Sequence, residues 1–98
     1  MSSAVRFGDG VAKIGETAPV THIADNCSSD VFINGKPAAT TGSSVSAESE
    51  DVKGAVLNGA SSVYINGKPA AIVGSLVGEE PGDPKGVVVE GSSDVTVE

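Results

Sequence analysis

A fifteen-residue segment of this 98-residue chain occurs twice. Residues 29–43 read SDVFINGKPAATTGS and residues 61–75 read SSVYINGKPAAIVGS, aligned without a gap at an offset of 32 residues. Repetition at a fixed period means that one supersecondary unit is reused, each copy burying its apolar face only against its neighbours. The same offset finds a third copy at the end of the chain, where Ser93-Asp94-Val95-Thr96-Val97-Glu98 falls on Ser61-Ser62-Val63-Tyr64-Ile65-Asn66. The remainder of that copy stands at the other terminus: Ala4-Val5-Arg6-Phe7-Gly8-Asp9 matches Ala38-Ala39-Thr40-Thr41-Gly42-Ser43. One unit is therefore split. Three equivalent hairpins around an axis then require the terminal strands to pair, Ala4, Val5, Arg6 and Phe7 with Val95, Thr96 and Val97. Such closure leaves fewer strand edges to protect.

The segments upstream of the hairpins repeat as well. Lys53-Gly54-Ala55-Val56-Leu57-Asn58-Gly59 matches Lys85-Gly86-Val87-Val88-Val89-Glu90-Gly91, and Thr21-His22-Ile23-Ala24-Asp25-Asn26-Cys27 is the divergent first copy. The units run over about 21–52, 53–84, and 85–98 joined with 1–20, one domain that the repeats fill from end to end. Polar stretches at Glu16 to Pro19, Ser46 to Asp51 and Gly78 to Pro84 are expected to be loops projecting from one end. Thirteen Gly and five Pro punctuate the chain too often for long helices. With no Trp, one Tyr and two Phe, the core falls to Val, Ile and Ala, which suits thin β layers. The expected fold is all-β, a small cone with pseudo-threefold symmetry.

Asn34-Gly35 and Asn66-Gly67 supply the two positive φ angles of a type I′ hairpin turn. That turn pairs Ile33 with Lys36 and sets Phe32 opposite Pro37. The proline nitrogen then points outward, where it denies a neighbouring strand a donor and suits a turn protruding from the main sheet. Because side chains alternate along a strand, Val31 and Ile33 share one face and Phe32 takes the other. Val31, Ile33, Val63, Ile65, Val95 and Val97 are expected to fill an axial core in two layers of three. Phe32, Tyr64 and Thr96 would look outward or onto a partner. Ala38-Ala39 and Ala70-Ala71 are small, as strands converging on a taper require. Lys36 and Lys68 charge the exposed turns and discourage edge aggregation.

Charge and composition exclude several classes. A net charge of −7 repels phosphate backbones, so no nucleic-acid partner is expected. No apolar run is long enough for a membrane-spanning helix. Met1-Ser-Ser-Ala-Val-Arg lacks the charged-then-apolar order of a signal peptide. The single Cys27 excludes an internal disulfide.

Asn-Gly-Lys-Pro-Ala-Ala-x-x-Gly, present twice and preceded by Ser-x-Val-x-Ile, resembles the Pro-Ala-Ala-Arg (PAAR) repeat proteins. Ala4-Val5-Arg6-Phe7-Gly8-Asp9 looks like that family's Ala-Ala-Arg-x-Gly-Asp element. The motif's arginine survives only as Arg6, with Thr40 and Ile72 in the other two copies. The resemblance implies a cone whose base caps the trimeric β-helical spike of a contractile phage tail or type VI secretion system, one tip per trimer, its point meeting the target membrane transiently. Phe32, Tyr64 and Thr96 are the candidates for docking on the spike. Family members can carry toxin extensions; none is expected here. That expectation and the depleted metal ligands favour a phage tail, hence a virion baseplate component. The secretion spike comes next, made in the bacterial cytoplasm and exported with the spike.

The resemblance also implies a zinc or iron ion near the apex, held by three His and a Cys. Only His22 and Cys27 are present, a tetrahedral site needs four ligands, and nothing in the spacing compels Asp25 or Asp9 to complete it. No cofactor is expected. Cys27, at the position of Gly59 and Gly91, is expected in a tight turn with nothing to activate it as a nucleophile. The acidic loop runs Glu48 to Asp51 and Glu79-Glu80 read as solvated. No enzyme is expected. The rival class is a pseudo-threefold β lectin or other small-ligand binder, but the repeated polar residues belong to the turn and aromatics are scarce.

Overall fold

A computed structural model describes residues 2–97; Met1 and Glu98, the latter aligned by the repeat with the turn Asn, lie outside the described residues. The described residues form twelve short strands and no helix. They are β1 (Ser2–Ser3), β2 (Gly10–Lys13), β3 (Pro19–Asp25), β4 (Phe32–Ile33), β5 (Lys36–Pro37), β6 (Ser44–Val45), β7 (Ala55–Val56), β8 (Tyr64–Ile65), β9 (Lys68–Pro69), β10 (Leu76–Gly78), β11 (Gly86–Val88) and β12 (Thr96–Val97). Six of them close into an antiparallel barrel in the order β10-β11-β2-β3-β6-β7. The other six form three two-stranded hairpins, β4-β5, β8-β9 and β1-β12. Barrel connections alternate between hairpin and plain loop, so the three hairpins gather at one end and the loops after β2, β6 and β10 at the other.

The third hairpin is made by the two chain ends. Ser2 pairs with Val97 and Ser3 with Thr96, and the Ala4 amide donates to the Val95 carbonyl at 3.0 Å. Past Ala4 the N-terminal strand leaves its partner. Val5, Arg6 and Phe7 pair instead with residues of the first and second units.

Six β-branched residues do line the barrel, but they are not those of the hairpins. Ile23 faces Val45, Val77 faces Val56, and Val88 faces Val11, three cross-strand pairs forming one belt. All are buried except Val45, which is half-buried against the cluster. Val5, Ala39 and Ala71 close the barrel at the hairpin end, and Val52 enters from the loop after β6. Six strands enclose less space than the eight whose interior just accommodates side chains, which explains why Val, Ile and Ala suffice. Fit is tight: a Cβ on Gly86 would lie 2.6 Å from Val52 Cγ1.

Val31, Ile33, Val63, Ile65, Val95 and Val97, expected at the axis, are only half-buried. Alternation specifies which side chains share a face and is silent on which face turns inward. A further difference concerns the first unit. Gapless alignment equates Ala24 with Val56, yet Gly8 donates to the Ile23 carbonyl as Gly42 does to Val56 and Gly74 to Val88. Ile23 therefore holds the belt position, and an irregularity of register between Ile23 and Asp25 absorbs the extra residue.

Candidate functional site

The hairpin end is where the repeated motif comes together. Three strands cross near the pseudo-threefold axis and exchange a closed cycle of backbone hydrogen bonds. Ala39 donates to Val5 (2.9 Å), Ala71 to Ala39 (2.9 Å) and Val5 to Ala71 (3.1 Å). Isolated bridges Arg6–Ala38, Thr40–Ala70 and Ala4–Ile72 flank the cycle. Strands this close leave room only for small side chains, and Ala4, Ala38, Ala39, Ala70 and Ala71 are all at most 1 % exposed. The Pro-Ala-Ala segment thus supplies the crossing point of a single chain folded with the symmetry of a trimer.

Each crossing strand leaves the axis through the same turn. Gly8, Gly42 and Gly74 all have φ near or above +90°, and the next side chain reaches back to the strand's own amide. Asp9 Oδ2 accepts from the Arg6 amide (2.8 Å), Ser43 Oγ from Thr40 (3.0 Å) and Ser75 Oγ from Ile72 (3.0 Å). The first of these turns also carries the one surviving motif arginine. Arg6 Nε and Nη2 grip the buried Asp9 carboxylate at 3.0 and 2.9 Å, a bidentate pair that raises the Arg6 pKa above its ordinary value.

The hairpins themselves are type I′, with φ of 54° at both Asn34 and Asn66 and 79° and 83° at Gly35 and Gly67. Ile33 pairs with Lys36 and Phe32 with Pro37; Ile65 pairs with Lys68 and Tyr64 with Pro69. They stand outside the barrel sheet, as the proline suggests, and lie along the neighbouring unit. Asn34 Nδ2 donates to Asp94 Oδ1 (2.9 Å), while Ser92 Oγ and Arg6 Nη1 donate to Asn34 Oδ1. Asn66 Nδ2 donates to Asp30 Oδ1 (2.8 Å) and Ser28 Oγ (3.1 Å). These asparagines close two of the three seams between units. At the third the repeat places Ala60 and Ser62 where the others have Ser and Asp.

Latching shifts the carboxylates. Hydrogen bonds from Asn66, then Ser28, hold the Asp30 pKa below its ordinary value, and Asn34, then Ser92, do the same for Asp94. Turn chemistry explains why Asn is wanted for φ; its second role needed the fold. A repeated Ser-x-Asp at 28–30 and 92–94 was the available signal.

A neighbouring strand also flanks each hairpin, despite the proline. Pro37 offers its carbonyl, which accepts from the Phe7 amide at 2.9 Å; Pro69 accepts from Thr41 at 3.0 Å, and Ser3, in the split unit, from Val73 at 3.0 Å. Residues opposed in register lie on one face. Each side of the ring thus carries a row of three: Phe7-Pro37-Phe32, Thr41-Pro69-Tyr64 and Val73-Ser3-Thr96. Phe32 and Tyr64 are more than half exposed and Phe7 is 43 % exposed.

His22 and Cys27 do not meet in a metal site. His22 Nδ1 lies 2.7 Å from Glu48 Oε1 at the side of the barrel, and the Asp9 carboxylate is taken by Arg6. Cys27 is half-buried beside Asp25, and desolvation pushes its thiol pKa up, which disfavours the thiolate a metal needs. Among the described residues no three His, Cys, Asp or Glu side chains gather as a ligand set. The residues present do not fit the ion. Cys27 is also not the strained residue of its turn: Asn26, before it, takes the left-handed φ of 60°. A shallow cleft of about 230 Å³ opens beside Cys27, between Ser28 and Asn66. Among the described residues the Cys27 thiol donates to the Asp25 carbonyl, at 3.9 Å.

Comparison with known families agrees with this geometry. The sequence model of the PAAR motif matches the chain twice, over residues 15–77 and 46–98. No curated protein matches it.

Proposed function

The chain belongs to the PAAR-motif family, and from that premise we propose that it caps the spike of a contractile injection apparatus as a structural, non-catalytic tip. The partner is a homotrimeric β-helical spike, one tip to three spike chains. The observation that carries this reading is the cycle of backbone hydrogen bonds joining Val5, Ala39 and Ala71. A homotrimeric needle ends in three equal surfaces, and a monomer meets all of them only if it repeats its own surface three times about one axis.

Docking is proposed through the hairpin end, where Phe32, Tyr64 and Thr96 occupy equivalent positions, the first two largely exposed. Apolar side chains on short, hydrogen-bonded strands suit a preformed interface, because little conformational freedom remains to be lost on binding. The loop end, with Glu16, Glu48, Glu50, Asp51, Glu79, Glu80 and Asp83, then faces forward as the point that crosses the target membrane. The force comes from sheath contraction, and the tip contributes shape and resistance to unfolding. Of the contractile machines, a phage tail baseplate is the proposed setting, with a type VI secretion spike as the alternative.

Cross-linking of the chain with its cognate spike protein, followed by native mass spectrometry, tests the assembly. One copy per three spike chains is the expected stoichiometry; three copies per trimer, or none, refutes the reading.

A further inference from the structure

We infer that the three sides of the hairpin ring grip the spike unequally, with Phe7-Pro37-Phe32 as the principal anchor and Val73-Ser3-Thr96 contributing least. This rests on the docking reading above and concerns how that same surface works. The rows share one backbone register and the same amide-to-carbonyl bond of 2.9–3.0 Å from the flanking strand, although Val73 of the third packs against the core cluster while Phe7 of the first is exposed. Their contents differ in a graded way. The first holds two aromatics and a proline, the second one aromatic and a proline, the third neither.

The turns grade in the same sense. Lys36 and Lys68 stand at the turns of the first two hairpins, on the face of Ile33 and Ile65 rather than that of the rows, and neither has a carboxylate within 4.0 Å among the described residues. Ser2 holds the equivalent place in the third. The end of each spike chain should offer an apolar seat. A strict threefold partner offers the same seat three times, so any inequality of grip originates in the tip. Aromatic side chains on rigid strands dominate interfaces because they bury large area at small entropic cost. Where Thr replaces them, the seat is only partly filled.

The test is isothermal titration of the full chain against the purified trimeric β-helical end of its cognate spike. Phe32→Ala and Phe7→Ala should each weaken binding about tenfold or more, Tyr64→Ala about fivefold, and Thr96→Ala less than about twofold. These side chains are exposed, so melting curves should stay near the parent's. Thr96→Tyr should strengthen binding, a gain that misfolding cannot mimic. Equal losses from Phe32→Ala and Thr96→Ala, or no gain from Thr96→Tyr, overturn the unequal grip while leaving docking intact. A parent chain that fails to bind the spike refutes the docking reading itself, and the inference with it.

Discussion

The barrel and the hairpin ring are built from the same three repeats and are held together by different physics. In the barrel, the belt Val11, Ile23, Val45, Val56, Val77 and Val88 is nearly uniform between units, and apolar burial does the holding. In the ring, the hairpin Val and Ile side chains stay half-exposed, and cohesion comes from the axial backbone cycle, the Arg6–Asp9 pair and the asparagine latches. The barrel keeps its symmetry because any larger or polar residue would be trapped in a narrow interior. The ring faces solvent, so its units can diverge without loss of the fold. Stability and recognition are thereby placed on separate layers of one small domain.

The most severe way to break this division is to remove the strand on which ring closure depends. Deleting Ser93 to Glu98 takes away β12 and the acceptor of the Ala4 amide, exposing the axial crossing. We expect loss of the cooperative thermal transition; a melt near the parent's temperature contradicts the split unit. Within the barrel, Ile23→Ala should cost about 4 kcal/mol in urea denaturation, as cavity formation at a fully buried site does. In the ring, Ile33→Ala at a half-buried position should cost about 1 kcal/mol.

Arg6→Ile should cost about 3 kcal/mol, because it leaves the Asp9 carboxylate buried without its partner. The double variant Arg6→Ile with Asp9→Ser copies the second unit's Ile72 and Ser75 and should recover most of the loss. Failure of that rescue indicates that the pair does more than satisfy its turn.

One substitution made twice compares the layers directly. Gly54→Ala and Gly35→Ala both impose a positive φ on alanine, at roughly 1 kcal/mol each. At Gly54 the new Cβ would also collide with the Gly78 carbonyl oxygen, whereas nothing stands within 4 Å at Gly35. The barrel variant should therefore lose well over twice as much stability as the ring variant. Equal losses mean that the barrel backbone yields.

The smallest effect is a pH dependence confined to the ring. Asp30 and Asp94 have depressed pKa values in the folded state. Their contribution is present above the ordinary carboxylate pKa of about 4 and is lost as pH falls through the depressed values. Melting temperature should decline modestly below about pH 4, and Asn34→Ala with Asn66→Ala should remove that part of the slope. Asn66→Asp reverses the sense: two facing carboxylates repel at neutral pH, so this variant should gain stability relative to the parent as pH is lowered.

Much of the ring could be read in advance. Asn-Gly predicts the turn type, the turn dictates that Ile33 meets Lys36, and the period of 32 residues makes one hairpin from two chain ends. Less of the barrel could. Alternation offers two faces of each hairpin strand and no means of choosing the inward one, and the axis expected for Val31 and Ile33 is occupied by Ala39. The shifted register at Ile23 hid the first unit's belt residue behind a gapless alignment. Asn34, Asn66 and Phe7 were visible as turn and strand residues, but their partners lie 60, 36 and 30 positions away in the chain.

Sequence alone settled what recurs: three copies of a unit, the residues that bend each one, and the family to which the pattern belongs. Packing decided what touches. Which side chains line the narrow interior, which loop sends Val52 into it, and which rows remain exposed depend on three strands competing for one axis. That competition exists only once the chain has closed on itself, because contacts between units are absent from any single repeat.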